Sequence, residues 1–225
     1  MNRALLVIAK RPAPGQTKTR LSPPLSGEES ARLYECFLRD MLDIARAVPD
    51  VSRLINYWPK HESEYFRQLA PDFDLIPQMG NQLGERLDNV LTYCLSHGFE
   101  RAVITNSDGP TLPSAYVKRA FDLLNNADVV LGPCDDGGYY LIGLKQPQPR
   151  LLLEVKMSTP TVAADTLALA EEEGLKTALL PPWYDVDTVA ELTRLTDDLN
   201  RAGPEVASHT RRYLQSVESL NSVKA

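Results

Sequence analysis

ALLVIA, residues 4–9, followed at once by KRPAPGQTKTRL, residues 10–21, decides how the chain is read. A short, unbroken apolar run suits a strand buried on both faces, as in a parallel sheet. The segment behind it gathers Lys10, Arg11, Lys18 and Arg20 around the turn glycine Gly15, and Pro12 and Pro14 stiffen it. Ser26-Gly27-Glu28-Glu29 then has the spacing of a capping box. Beyond it Leu33, Phe37, Met41, Ile44 and Val48 recur on one helical face. Strand, loop and helix follow in the order of a parallel crossover unit.

The same unit repeats outward. VSRLINYW (51–58), FDLIP (73–77), RAVITN (101–106), DVVLG (128–132), YYLIGL (139–144) and KTALLP (176–181) read as further strands. HESEYFRQLA (61–70), GERLDNVLTYCLSHG (84–98), PSAYVKRAFDLLNNA (113–127), STPTVAADTLALAEEEG (158–174) and DTVAELTRLTDDLN (187–200) read as helices between or after them. Alternation of this kind predicts an α/β fold: a single-domain three-layer α/β/α sandwich with a mostly parallel sheet. One domain over 1–225 is expected, with its core over about 1–200 and a tail helix over 203–218.

With 225 residues, 43% of them hydrophobic, the chain can bury a substantial core. Its net charge of −6 argues against general nucleic-acid binding, which needs basic patches. That makes a local basic loop the more informative. Cys36, Cys94 and Cys134 are too scattered for a disulfide framework or a zinc site, and His61, His97 and His209 are equally dispersed. No stretch reaches the ~20 apolar residues of a membrane span, and the first apolar run is too short for a signal peptide. A cytoplasmic protein is expected.

In parallel sheets ligands sit beyond the carboxyl ends of the strands. There the basic loop can bring N–H groups and cations to a phosphate, or it can be a solvated surface loop; it matches neither the Walker nor the Rossmann pattern. SDGP (107–110) offers a metal-binding carboxylate or a plain turn. GPCDDGGYYLIG (132–143) suits close approach of a ligand to glycine backbone, a hairpin, or both. In YDVDT (184–188) two acids share a face, or Asp187 caps the next helix. QMGNQLGERL (78–87) is a helix start that can hold an anion, with Arg86 in reach, or an ordinary connection.

Taken together, these five segments resemble the nucleotide-diphospho-sugar transferases of the glycosyltransferase-A fold. Within that superfamily the chain is similar to bacterial glycosyltransferases labelled as arsenosugar-biosynthesis enzymes. KTRLSPPLSGEESARL (18–33) also resembles the start of 2-phospholactate guanylyltransferases. The resemblance implies a nucleotide-sugar or NTP as donor, a small-molecule acceptor, and Mg²⁺ or Mn²⁺ as cofactor. By position it implies Asp108 and Asp187 as metal ligands and Lys18, Arg20 and Asp108 as the catalytic set. It also implies that Asp136, Gly137 and Gly138 line the sugar or acceptor side. Lys10, Arg11, Gly15, Gly84, Arg86 and Tyr139 are expected, from their places in these segments, to bind nucleotide or substrate as well. One departure is Met157-Ser158-Thr159, where the family leads one to expect Trp-Ser-Thr. Glycosyl transfer is the leading expectation, nucleotidyl transfer its rival, and a non-catalytic nucleotide-binding or partner-binding domain the third.

Overall fold

The structure is a computed structural model that describes residues 2–217. At its centre lies a seven-stranded sheet of order β3-β2-β1-β4-β6-β5-β7. β1 (Arg3–Lys10) pairs in parallel with β2 (Ser52–Trp58) and β4 (Arg101–Thr105), and β3 (Asp74–Pro77) extends the parallel half beyond β2. β6 (Tyr139–Leu144) runs antiparallel between β4 and β5 (Val129–Pro133), and β7 (Thr177–Leu179) closes the far edge parallel to β5. The mostly parallel sheet expected from the alternation is present, with one reversal. The connection from β5 to β6 is a tight turn in which Gly137 takes φ 87°, and a turn so short can only return the chain antiparallel.

Helices cover both faces. α1 (Gly27–Arg46), α2 (Ser63–Leu69) and α4 (Ser114–Leu123) set Leu38, Met41, Phe66 and Phe121 against Leu5 and Val7 of β1. α3 (Leu83–Ser96), α5 (Pro149–Leu153) and α6 (Val162–Glu172) set Leu87, Leu91, Leu152 and Ala170 against Ala4 and Leu6. Alternate β1 residues therefore feed two cores, which is why its sequence is apolar without a break. α5 goes unread in the sequence because it spans a single turn.

The capping box opens α1 as its spacing predicts: Ser26 Oγ accepts from Glu29 N–H at 3.2 Å, and Glu29 accepts from Ser26 N–H at 2.7 Å. A third apolar cluster joins Leu21, Leu33 and Phe37 to Val186 and to Leu195 of α7 (Val189–Arg201). The expected tail helix starts later than 203, as α8 (Ser208–Ser216) after a turn over 203–207; residue 218 of that expectation lies outside the described residues. Among the described residues no helix is long and apolar enough to cross a membrane.

Candidate active site

From β1 the chain proceeds to β2 and β3 on one side, and then crosses to β4 on the other. A crevice opens at such a switch point, outside the carboxyl ends of the two strands. A cavity of about 440 Å³ lies there, reached by Ile8 of β1, by Ile104 and Thr105 of β4 and by Asn106 just beyond. Because β6 is reversed, its amino end stands at this same rim and adds Gly138 and Tyr139 to the wall. Leu83, Leu87 and Met157 make a further side apolar.

The two acids singled out in the sequence meet at this rim, Asp187 in the cavity lining and Asp108 beside it. The N–H of Val186 donates to the Asp108 carbonyl at 2.9 Å, so the segment before α7 is stitched to the turn after β4. Thr188, not Asp187, is the helix cap: its side chain and Glu191 form a capping box, which leaves the Asp187 carboxylate free to face inward. Lys18 Nζ bridges the pair, 2.5 Å from Asp108 Oδ1 and 2.7 Å from Asp187 Oδ1. Arg20 Nη2 donates to the other Asp187 oxygen at 2.8 Å.

Burial alone would pull the Lys18 ammonium down, but the charges of Asp108 and Asp187 outweigh it and hold it above the ordinary lysine range. For Asp187 burial works upward, and the Lys18 and Arg20 charges overcome it, leaving the carboxyl below its usual range. The lysine side chain is 5% exposed, whereas Arg20 is 68% exposed and stands at the cavity mouth. The two cations of the basic loop thus differ: Lys18 is buried between the two acids, and Arg20, also paired with Asp187, is exposed at the cavity.

Asp185 is the residue that sequence reasoning missed. It lines the cavity, and Asn106 Nδ2 donates to both of its oxygens at 2.8 and 2.7 Å. Burial, followed by the nearby Asp108 charge, pushes its carboxyl up to about 7 despite the Asn106 bond. A signal did exist in the alternation of Asp185 with Asp187. What it lacked was Asn106, whose position 79 residues away only the fold brings in.

The other expected residues divide. Asp136, Gly138 and Tyr139 line the cavity with Arg20 and Asp187. Asp136 also closes its own turn by accepting from Gly138 N–H at 2.9 Å, so ligand approach and hairpin coexist. Gly137 lies behind them, packed so that a Cβ would overlap the Pro160 carbonyl. Gly84 faces α5, where a Cβ would overlap the Leu152 carbonyl. Arg86 stacks on Trp58 at 4.4 Å and donates to the Gly80 carbonyl at 3.0 Å. Arg11 stacks on Tyr65 at 3.6 Å, and Lys10 Nζ donates to the Gln16 carbonyl at 3.1 Å within its own loop, which turns at Gly15 with φ 68°. None of Lys10, Arg11, Gly15, Gly84, Arg86 and Gly137 lines the cavity, and Lys18 and Asp108 stand outside its lining, joined to it through Asp187.

Asp108 and Asp187 stand close enough for one ammonium to touch both. Two hard carboxylates at that spacing suit Mg²⁺ or Mn²⁺. Among the described residues a trio of possible metal donors, Asp40, Asp43 and His209, sits elsewhere. Asp40 accepts from His209 N–H at 3.0 Å and Thr210 N–H at 2.9 Å, which makes it the N-terminal cap that docks α8 on α1.

The chain belongs to the DUF2064 family, described as an uncharacterized protein conserved in bacteria, whose profile matches residues 41–159. A crystal structure assigned to the nucleotide-diphospho-sugar transferases, from Desulfovibrio desulfuricans G20, is 30% identical with a TM-score of 0.81, covering 95% of this chain and 99% of that one. A 2-phospho-L-lactate guanylyltransferase of Methanothermobacter thermautotrophicus is 29% identical over 205 residues, 89% of this chain and 85% of its own. The fold alone is shared with a manganese complex from Mycobacterium tuberculosis H37Rv, at TM-score 0.53 and 14% identity over 88% of this chain and 99% of that one. The architecture and the relatives are those of nucleotide-dependent transferases.

Proposed function

We propose that this protein transfers a nucleoside monophosphate from an NTP to a small acceptor and releases pyrophosphate. The observation that carries this reading is the convergence of Lys18 and Arg20 with two carboxylates at the switch point of the sheet. The guanylyltransferase relative, similar over most of both chains, favours nucleotidyl over glycosyl transfer.

In the reaction an acceptor oxygen forms a new bond to the α-phosphorus while the bond to pyrophosphate breaks. Negative charge grows on the leaving group, and Lys18 and Arg20 stand where they can meet it. Removing such a group commonly slows a reaction by roughly 10²–10³. Asp108 and Asp187 would hold Mg²⁺ or Mn²⁺, which when bound offsets phosphate charge and polarises the phosphoryl oxygens. Asn106 fixes the Asp185 carboxyl toward the cavity, and the wall of Asp136, Gly138 and Tyr139 faces the acceptor side.

A second reading, glycosyl transfer from a nucleotide-sugar, is supported by the likeness to the Desulfovibrio structure. The leaving group separates the two. The protein is incubated with each NTP or nucleotide-sugar, Mn²⁺, and an acceptor panel that includes 2-phospholactate and arsenosugar precursors. Pyrophosphate release supports nucleotidyl transfer, and nucleoside diphosphate release supports glycosyl transfer. Nucleotide binding that is indifferent to divalent metal, with no turnover, would leave a non-catalytic binding domain.

A further inference from the structure

Lys18 stands where a metal ion held by Asp108 and Asp187 would stand. Its ammonium lies within 2.7 Å of an oxygen from each. The approach is from the protein side: the lysine side chain is 5% exposed, whereas the Asp108 and Asp187 side chains are 32% and 37% exposed. Tyr34 and Phe37 present their rings 5.9 and 5.8 Å from the ammonium, a shelf that favours a cation resting there. Arg20 takes the remaining Asp187 oxygen. A divalent ion reaching the free protein therefore meets carboxylates that two cations already neutralise.

The backbone agrees with a side chain placed for a purpose. Lys18 has φ 50° and ψ 40°, the left-handed region, where a glycine would sit at less cost. Leu21 N–H donates to the Lys18 carbonyl at 3.0 Å and helps to hold that conformation.

We infer that the Lys18 ammonium fills the cation position of the nucleotide-free protein, so that divalent metal and nucleotide enter together. The inference rests on the reading that Asp108 and Asp187 hold the ion. Incoming phosphates give Lys18 and Arg20 a new anionic partner, and the incoming ion gives the carboxylates a new cation. Each charge keeps a counter-charge throughout. Metal and nucleotide binding are then positively coupled, and by linkage each strengthens the other equally.

The test titrates Mn²⁺ alone, followed by the electron paramagnetic resonance of free Mn²⁺, into wild type, Lys18→Met and Lys18→Met/Asp108→Asn. Lys18→Met is expected to bind at least about tenfold more tightly than wild type, because a unit positive charge in contact with both ligands is gone. The double variant is expected to lose that gain. Binding by folded Lys18→Met no tighter than wild type overturns the inference.

A second measurement needs no variant: the ¹⁵N resonance of the wild-type Lys18 ammonium. It should stay in place at an Mg²⁺ concentration too low for the ion alone to bind wild type, and move when an NTP is added at that same concentration. A resonance that stays in place when both are bound overturns the inference. Nucleotide binding by wild type, scored alongside, keeps the two ideas apart. If it is metal-dependent while Lys18→Met gains nothing, the exchange falls and the functional reading stands. If nucleotide never binds while Lys18→Met gains Mn²⁺ affinity, the functional reading falls and the ion site stands.

Discussion

The Tyr34 and Ser107 hydroxyls share a hydrogen bond of 2.8 Å beneath the acidic turn, and the Tyr34 oxygen also accepts the Lys10 N–H at 3.1 Å. One side chain of α1 thus ties the end of β1 to the end of β4, the two strands between which the cavity opens. Tyr34→Phe leaves both partners without it. The variant is expected to lose about 1–3 kcal/mol of stability, read by urea unfolding. A loss within about 0.5 kcal/mol, the usual range for surface changes, would show that the tie does not hold the site together.

Two glycines that the sequence reading placed in the site act through packing instead. At Gly137 an alanine would strain a backbone at φ 87° and overlap the Pro160 carbonyl, and at Gly84 it would overlap the Leu152 carbonyl between α3 and α5. Both substitutions are expected to cost at least about 1–3 kcal/mol, as overpacking does. Gly15→Ala meets no atom within 4 Å, so only its φ of 68° penalises it. Its cost should be the smallest of the three, at about 1 kcal/mol. Thermal unfolding of the three variants ranks them, and a Gly15 effect equal to the others would refute the packing account.

The strands and their order of appearance were legible because each rests on local pattern, whereas Asp108 and Asp187 were paired only through the family resemblance. β1 is readable from its apolar run, and α1 from Ser26 and Glu29. The roles of Arg86 and Gly84 were not legible, since a cation near a helix start and a glycine in its first turn look alike whether they face a phosphate or another helix. Trp58, on which Arg86 stacks, and Leu152, against which Gly84 packs, come from distant segments. Asp185 failed for the same reason, its partner being Asn106, just past the end of β4 and 79 residues earlier in sequence. Long-range partners set the chemistry of this site, and a one-dimensional spacing does not contain them.

Asp185 also makes stability depend on pH. Its carboxyl is raised from 3.8 to about 7 on folding, by burial first and by the Asp108 charge second. A raised acid contributes stability that is complete below its unfolded value and is lost as pH rises through the folded one. The stability of Asp185→Asn relative to wild type should therefore climb between about pH 4 and pH 7 and then level off, with a slope of at most about 1.4 kcal/mol per pH unit. Urea unfolding of both proteins across that range checks it. Parallel curves would mean that Asp185 titrates alike in the folded and unfolded chains.

Arg20 gives the cleanest separation of phosphate recognition from folding. Its side chain is 68% exposed and its bond to Asp187 is an exposed ion pair, a kind that adds little to stability. Arg20→Ala should accordingly leave the unfolding midpoint nearly unchanged. A charge-assisted hydrogen bond from this guanidinium to a phosphate is worth about 1.5–3 kcal/mol, so NTP affinity should fall roughly ten- to a hundredfold. The bare nucleoside, which offers no phosphate, should bind variant and wild type alike. Titration calorimetry with an NTP and its nucleoside measures both. An equal loss for the two ligands would assign Arg20 to shaping the cavity, because a residue that meets phosphate must distinguish ligands that have one from ligands that do not.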